Sequence, residues 1–482
     1  MPLNSPRLSV DPNVTPDAPA EEQPVLGIIG MGAMGKMYAK CLFKAGWKRI
    51  NVCDRPENYD ALCAVYAENA SITVMRNGHH VARTADWLMY SVEAEYIDKV
   101  VAEYGPSTKV GCIVAGQTSV KAPEKAAFEK HLPEDVHIVS CHSLHGPTVA
   151  PKDQPLAIIR HRASDDALAL TESILRPFES RFVHMSYEEH DIVTANVQAV
   201  THAAFLSMGT AWANAASYPW EHGYYVGGIE TVKVNLMLRI FSNKWHVYAG
   251  LAILNPFACV QIGQFAQSVT DIFKLMLAAD EEGLRARMYD ARQRVFGDIE
   301  AYKEGHRPVL LSEDILDQFS LGKVTAPSSS QAGSRVGTPS GYRSPERPPV
   351  NSHLSLLAMV DSWARLNIQP TVHLELAATP IFRMWFGVAE YLFLSKERLD
   401  NAIHAALYDT SHRYDDVEFV VASRGWSQCV SFGSFDLYRE RFEETAAFFK
   451  PRFEDANKVG SEMLKAIQDK EPIPVVMSPN MQ

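Results

Sequence analysis

Val25-Leu26-Gly27-Ile28-Ile29-Gly30-Met31-Gly32-Ala33-Met34-Gly35 is the stretch on which the fold turns. A short apolar run enters a Gly-x-Gly-x-x-Gly turn, and a segment of helical composition follows to Ala45. That order of strand, tight turn and helix N-terminus is the opening of a dinucleotide-binding βαβ unit. Gly30 permits the turn, Gly32 lets backbone approach a pyrophosphate, and Gly35 lets helix close on strand. Met31, Ala33 and Met34 complete a loop whose N–H groups and positive helix end suit phosphate oxygens. The next run, Asn51-Val52-Cys53-Asp54-Arg55-Pro56, ends on an acid placed for the ribose hydroxyls of NAD and an arginine placed for the 2′-phosphate of NADP. Asp54 and Arg55 by themselves leave the choice of dinucleotide open.

Outward from this unit, eight short β-rich runs alternate with helical stretches as far as about Ser186, which predicts a parallel sheet wrapped by helices. After Tyr187 the strand signals fade, and long segments of helical period follow at 188–216, 232–255, 257–295, 352–366, 380–394 and 435–467. The fold class expected is an α/β Rossmann-type N-terminal domain followed by an all-α C-terminal, dimerisation domain. Its boundaries are a flexible tail over 1–23, the dinucleotide-binding domain over 24–187, a helical substrate domain over 188–470 and a tail over 471–482. A Ser/Pro/Gly-rich insertion at about 321–350 is too polar to offset its ordering entropy and is expected to be disordered.

Composition narrows the function classes. The 482 residues suit two or three domains, and no apolar run reaches the length needed to span a bilayer. A net charge of −11 repels nucleic-acid phosphates and anionic lipid, so neither is an expected partner. The 7 cysteines are odd in number and form no Cys-x-x-Cys pair, which predicts a reducing compartment and no metal site. With a polar opening segment unlike a signal or transit peptide, the expected location is cytoplasmic.

Ligands of open α/β sheets bind beyond the carboxyl ends of strands. Two polar loops stand there: Gly116-Gln117-Thr118-Ser119-Val120-Lys121 and Cys141-His142-Ser143-Leu144-His145-Gly146-Pro147. His142 reads as a base for a substrate hydroxyl or as a capping histidine. On the helical segment that follows, Asp191, Thr194, Gln198 and His202 share one polar stripe that faces a cleft, with a hydrogen-bonded core His202 as the alternative. Arg239, among apolar neighbours, wants a carboxylate from protein or substrate.

Taken together, Gly27–Gly35, Gly116–Lys121, His142–Pro147, Tyr187–Asp191, Gln198–Gly209 and Ser242–Ile253 make the chain resemble prephenate dehydrogenases of the fungal, monofunctional, NADP-linked type. The resemblance implies oxidative decarboxylation of prephenate to 4-hydroxyphenylpyruvate for tyrosine biosynthesis, with NADP rather than NAD as oxidant, in a homodimer. It carries the catalytic roles to His142, Ser119 and His202, and substrate binding to Arg239, with Gln198 beside them. Two departures stand out: Ser143 follows His142 where the bacterial pattern has proline, and Ala199 replaces the first of two histidines. Competing readings are an arogenate dehydrogenase, another β-hydroxyacid-type dehydrogenase, or a noncatalytic NADP-binding sensor.

Overall fold

The computed structural model describes residues 7–147, 149–305, 314–321, 351–377 and 379–468. Eight strands form one sheet: β1 (Leu26–Ile29), β2 (Ile50–Cys53), β3 (Ile72–Val74), β4 (Trp87–Tyr90), β5 (Ile113–Gly116), β6 (His137–Ser143), β7 (Pro155–Arg162) and β8 (Arg181–His184). Their spatial order is β3-β2-β1-β4-β5-β6-β7-β8. Every residue of β1, β4, β5 and β6 is buried, as both faces are covered: Leu26 and Ile28 face one apolar core, and Leu88 and Val114 face another.

The sheet is not parallel throughout. β7 runs antiparallel to β6, and β8 runs parallel to β7, so the last two strands reverse direction. The cause is the connection: β6 reaches β7 through a loop with no crossover helix, and a return without a crossover is antiparallel. The opening segment also departs from expectation. Rather than a flexible tail, residues 7–23 pack on the sheet layer: Val14 is buried in its core, and Gln23 Nε2 donates to the carbonyls of Pro16 and Ala18. Of the predicted insertion only Leu321 is described; the rest of it, and the 471–482 tail, lie outside the described residues.

Beyond β8 the described chain is helical, with more breaks than the periodicity suggested. Ala279 adopts a left-handed φ of 50° and ends the helix Ala258–Ala278, after which Asp280 caps Glu281–Phe296 by accepting from Gly283 N–H. Between Tyr187–Thr194 and Val200–Asn214 lies a π-helical turn, Ala195–Ala199, a wider turn that shifts the register of everything after it. These helices share one core, which also takes in Leu144 from the loop after β6. The catalytic-histidine loop is thereby fastened to the helical region. Among the described residues no single helix is long and apolar enough to cross a membrane.

Candidate active site

The phosphate cradle is built as its glycines require. Gly30 has φ +99°, and a Cβ there would lie 2.3 Å from the Ser91 carbonyl oxygen. A Cβ on Gly35 would lie 2.0 Å from the Gly30 oxygen, so strand and helix touch through backbone. At Gly32 the space is open: nothing lies within 4 Å of a Cβ, which would project over the N-terminus of α1 (Ala33–Ala45). That terminus has neither a side-chain cap nor an acid in its first turn, leaving donors for an anion. Asp54 fastens the cradle, since Oδ2 accepts from Met31 N–H at 2.7 Å and Oδ1 from Arg55 N–H at 2.7 Å. The Arg55 side chain is 75% exposed beside it, 3.4 Å from Glu57 Oε1.

At the carboxyl end of β6 stands His142, buried, with Nδ1 2.8 Å from His190 Nε2. His190 Nδ1 in turn lies 2.9 Å from Asp191 Oδ1. A capping box places this pair: Ser186 Oγ accepts from Glu189 N–H and Glu189 Oε2 from Ser186 N–H, starting the helix so that its next two residues meet the sheet. Asp191 accepts from Lys121 N–H and Ala122 N–H, 2.7 Å each, the first free donors of the helix Ala122–His131. Burial, then the neighbouring His190, Lys121 and His145, hold the His142 pKa well below the usual histidine range, so the ring is neutral at pH 7. His142 Nε2 makes no hydrogen bond among the described residues. Sequence reasoning had assigned His190 no role, although it stands in the Tyr187–Asp191 motif; it is 48 residues from His142, and its signal was the adjacent acid.

Lys121 points inward, away from any ligand. Lys121 and Glu124 are both fully buried, with Nζ 2.9 Å from Oε2. The ammonium also donates to the carbonyls of Gly116 and Cys141 and to Ser140 Oγ, while Glu124 accepts from Thr118 Oγ1 and Ser140 Oγ. The ends of β5 and β6 are tied by this knot, which fixes the loop carrying Ser119. Ser119 itself is half-buried and makes no hydrogen bond to His142.

On the helical side the polar stripe divides. Asp191 serves the sheet, and Thr194 is fully buried under Asn255, because the π turn rotates the positions after it. Gln198, within that turn, is buried with Nε2 lacking a hydrogen-bond partner among the described residues, and so is His202 Nδ1. His202 packs edge-on against Tyr248, ring centroids 4.7 Å apart, and burial pushes its pKa down to about 3. Tyr248 joins it to Arg239: Asn243 Nδ2 donates both to the Tyr248 hydroxyl and to the Arg239 carbonyl. Arg239 is half-buried, reaches Ser461 Oγ at 3.4 Å, and has no carboxylate within 4.0 Å among the described residues. The structure therefore groups His142 with His190 and Asp191, and His202 with Tyr248 and Arg239.

Residues 199–469 match a family described as a 6-phosphogluconate dehydrogenase C-terminal domain, and residues 25–115 match NADP oxidoreductase coenzyme F420-dependent. A Schizosaccharomyces pombe protein named probable prephenate dehydrogenase (NADP+) is 51% identical over 92% of this chain and 97% of its own. The chain belongs to the prephenate dehydrogenases. The Saccharomyces cerevisiae prephenate dehydrogenase (NADP+) is 48% identical, over 92% of this chain and 94% of that one. A solved prephenate dehydrogenase of A. aeolicus, with hydroxyphenyl propionate and NAD+, covers 55% of this chain and 94% of its own at 18% identity and a TM-score of 0.45. Within this prephenate dehydrogenase, then, the cradle and the two histidine clusters are where its chemistry must be sought.

Proposed function

We infer that the chain oxidatively decarboxylates prephenate to 4-hydroxyphenylpyruvate and CO2 with reduction of NADP, a step toward tyrosine, and that His142 is its base. The observation that supports this most is His142 itself: a neutral imidazole at a strand's carboxyl end, held through Nδ1, with Nε2 uncommitted. Its cradle fits a dinucleotide, with Gly32 under the pyrophosphate and Arg55 for the 2′-phosphate. When bound, NADP supplies the hydride acceptor. As hydride leaves the hydroxyl-bearing ring carbon, His142 accepts the hydroxyl proton and that carbon becomes a carbonyl. Departure of the ring carboxylate as CO2 sends its electron pair through the diene to this oxygen, and His142 returns the proton to the phenol. One hydride and one CO2 leave, no net proton is consumed, and aromaticity drives the second step.

Ser119 holds the hydroxyl against His142 in this reading. Gln198 and His202, whose buried polar atoms lack partners among the described residues, meet polar groups of the substrate. Arg239 takes a substrate carboxylate, which supplies the counter-charge missing beside it. Arg239→Ala should raise the KM for prephenate by about 30-fold or more, because a lost buried charge pair costs about 2–5 kcal/mol. An unchanged KM in steady-state assays would refute the role.

The whole reading is tested by assaying purified protein with prephenate and with arogenate, each with NADP and with NAD, and identifying the product. NADPH and 4-hydroxyphenylpyruvate from prephenate are expected; turnover of arogenate alone would overturn the substrate assignment. The active form in this reading is a cytoplasmic homodimer joined through the helical region. Tyr414, Val417 and Val421, 86%, 40% and 56% exposed, form an apolar stripe on the helix Arg413–Phe432, and such a stripe suits an isologous contact. A solution mass of two chains at micromolar concentration is expected, and one chain would count against it.

A further inference from the structure

Behind His142 the protons can be placed one at a time. Asp191 is held by two backbone N–H groups, and burial raises its pKa to about 6, so above that pH it is a carboxylate that only accepts. The hydrogen facing it must then belong to His190 Nδ1, 2.9 Å away. Burial and the nearby Lys121 ammonium keep His190 neutral, so its Nε2 carries a lone pair and accepts. At 2.8 Å, His142 Nδ1 has to be the donor. One nitrogen is left.

We propose that His190 and Asp191 are a positioning pair that locks His142 in its Nδ1-protonated tautomer and leaves Nε2 as the base toward the substrate hydroxyl. The inference rests on His142 being the base. It also resolves a difficulty with that assignment: a buried histidine near Lys121 is a weak base. Once Nε2 takes a proton, the imidazolium still donates Nδ1–H to His190 and faces the Asp191 carboxylate through it, which offsets part of the burial. Neither His190 nor Asp191 touches substrate in this scheme. They act only through His142.

The test compares His190→Gln with His190→Leu in the full chain. A glutamine can accept from His142 Nδ1 and donate to Asp191, while leucine can do neither. Loss of tautomer control in comparable triads costs up to about 10⁴-fold in turnover, so kcat in the leucine variant should fall by about 100-fold or more. The glutamine variant should stay within about tenfold of wild type, a level consistent with general-base catalysis retained. Neither should change the KM for prephenate or the dissociation constant for NADP. Equal kcat in the two variants would overturn the proposal. Should the leucine variant not fold, Asp191→Asn presents an N–H where an acceptor is required, and it must lower kcat at unchanged KM; wild-type kcat there is equally fatal. His142→Asn in the same assay separates the two failures. If it turns over normally, the base is misassigned, whereas an inactive His142→Asn beside a fully active His190→Leu removes only the positioning pair.

Discussion

Asparagine at position 142 should lower turnover by about 10²–10⁴-fold while the affinity for NADP stays nearly constant, since that is what a positioned base is typically worth. The two effects separate because the groups are separate. The cradle is made by the turn after β1 and held by Asp54, whereas His142 sits at the end of β6 and is held by His190. An asparagine amide N–H can still donate to His190 Nε2, so packing behind the site survives, but no nitrogen with an available lone pair remains for the hydroxyl proton. Prephenate should bind as before, because Arg239 and the groups beside Tyr248 are untouched. Steady-state kinetics with a fluorescence titration of NADPH read both quantities, and turnover within about threefold of wild type, far short of what a base is worth, would remove His142 from the mechanism.

What the sequence disclosed depended on how local the cause was. The glycine turn, the eight strands and the switch to helix rest on patterns spanning a dozen residues or fewer, and each is in the structure. Strand direction at the far edge was not local: whether β7 returns parallel depends on the missing crossover helix between β6 and β7. The helical stripe from Asp191 to His202 was drawn at 3.6 residues per turn, and the π turn at Ala195–Ala199 broke it. Individual residues show the same division. The position of His142 at a strand end was legible, but its partner arrives from another element. Arg239 was legible because a charge among apolar neighbours needs an explanation at any distance. Lys121 was misplaced among the ligand-facing groups, since an exposed loop lysine is the ordinary case and nothing nearby announces that Glu124 will be buried with it.

That buried pair should make Lys121→Met one of the most destabilising single changes in the nucleotide-binding half, by about 3–5 kcal/mol, because it strands a carboxylate inside the protein. Methionine is close in volume, so packing alone would cost little. The expense is electrostatic. Glu124 keeps Thr118 Oγ1 and Ser140 Oγ as donors, but it loses its counter-ion, and the carbonyls of Gly116 and Cys141 lose theirs. Relief by side-chain movement is barred at one wall, where a Cβ on Gly116 would lie 2.1 Å from Glu124 Oε2. Removing both charges, as Lys121→Met with Glu124→Gln, should recover a large part of the loss, since an amide is far cheaper to bury than an unpaired carboxylate. Urea unfolding of the single and double variants gives the coupling directly. A single-variant loss below about 1 kcal/mol, the range of exposed ion pairs, would mean that water reaches the knot. In that event the loop carrying Ser119 is not held rigidly against β6, and the alignment of Ser119 with His142 must come from the substrate itself.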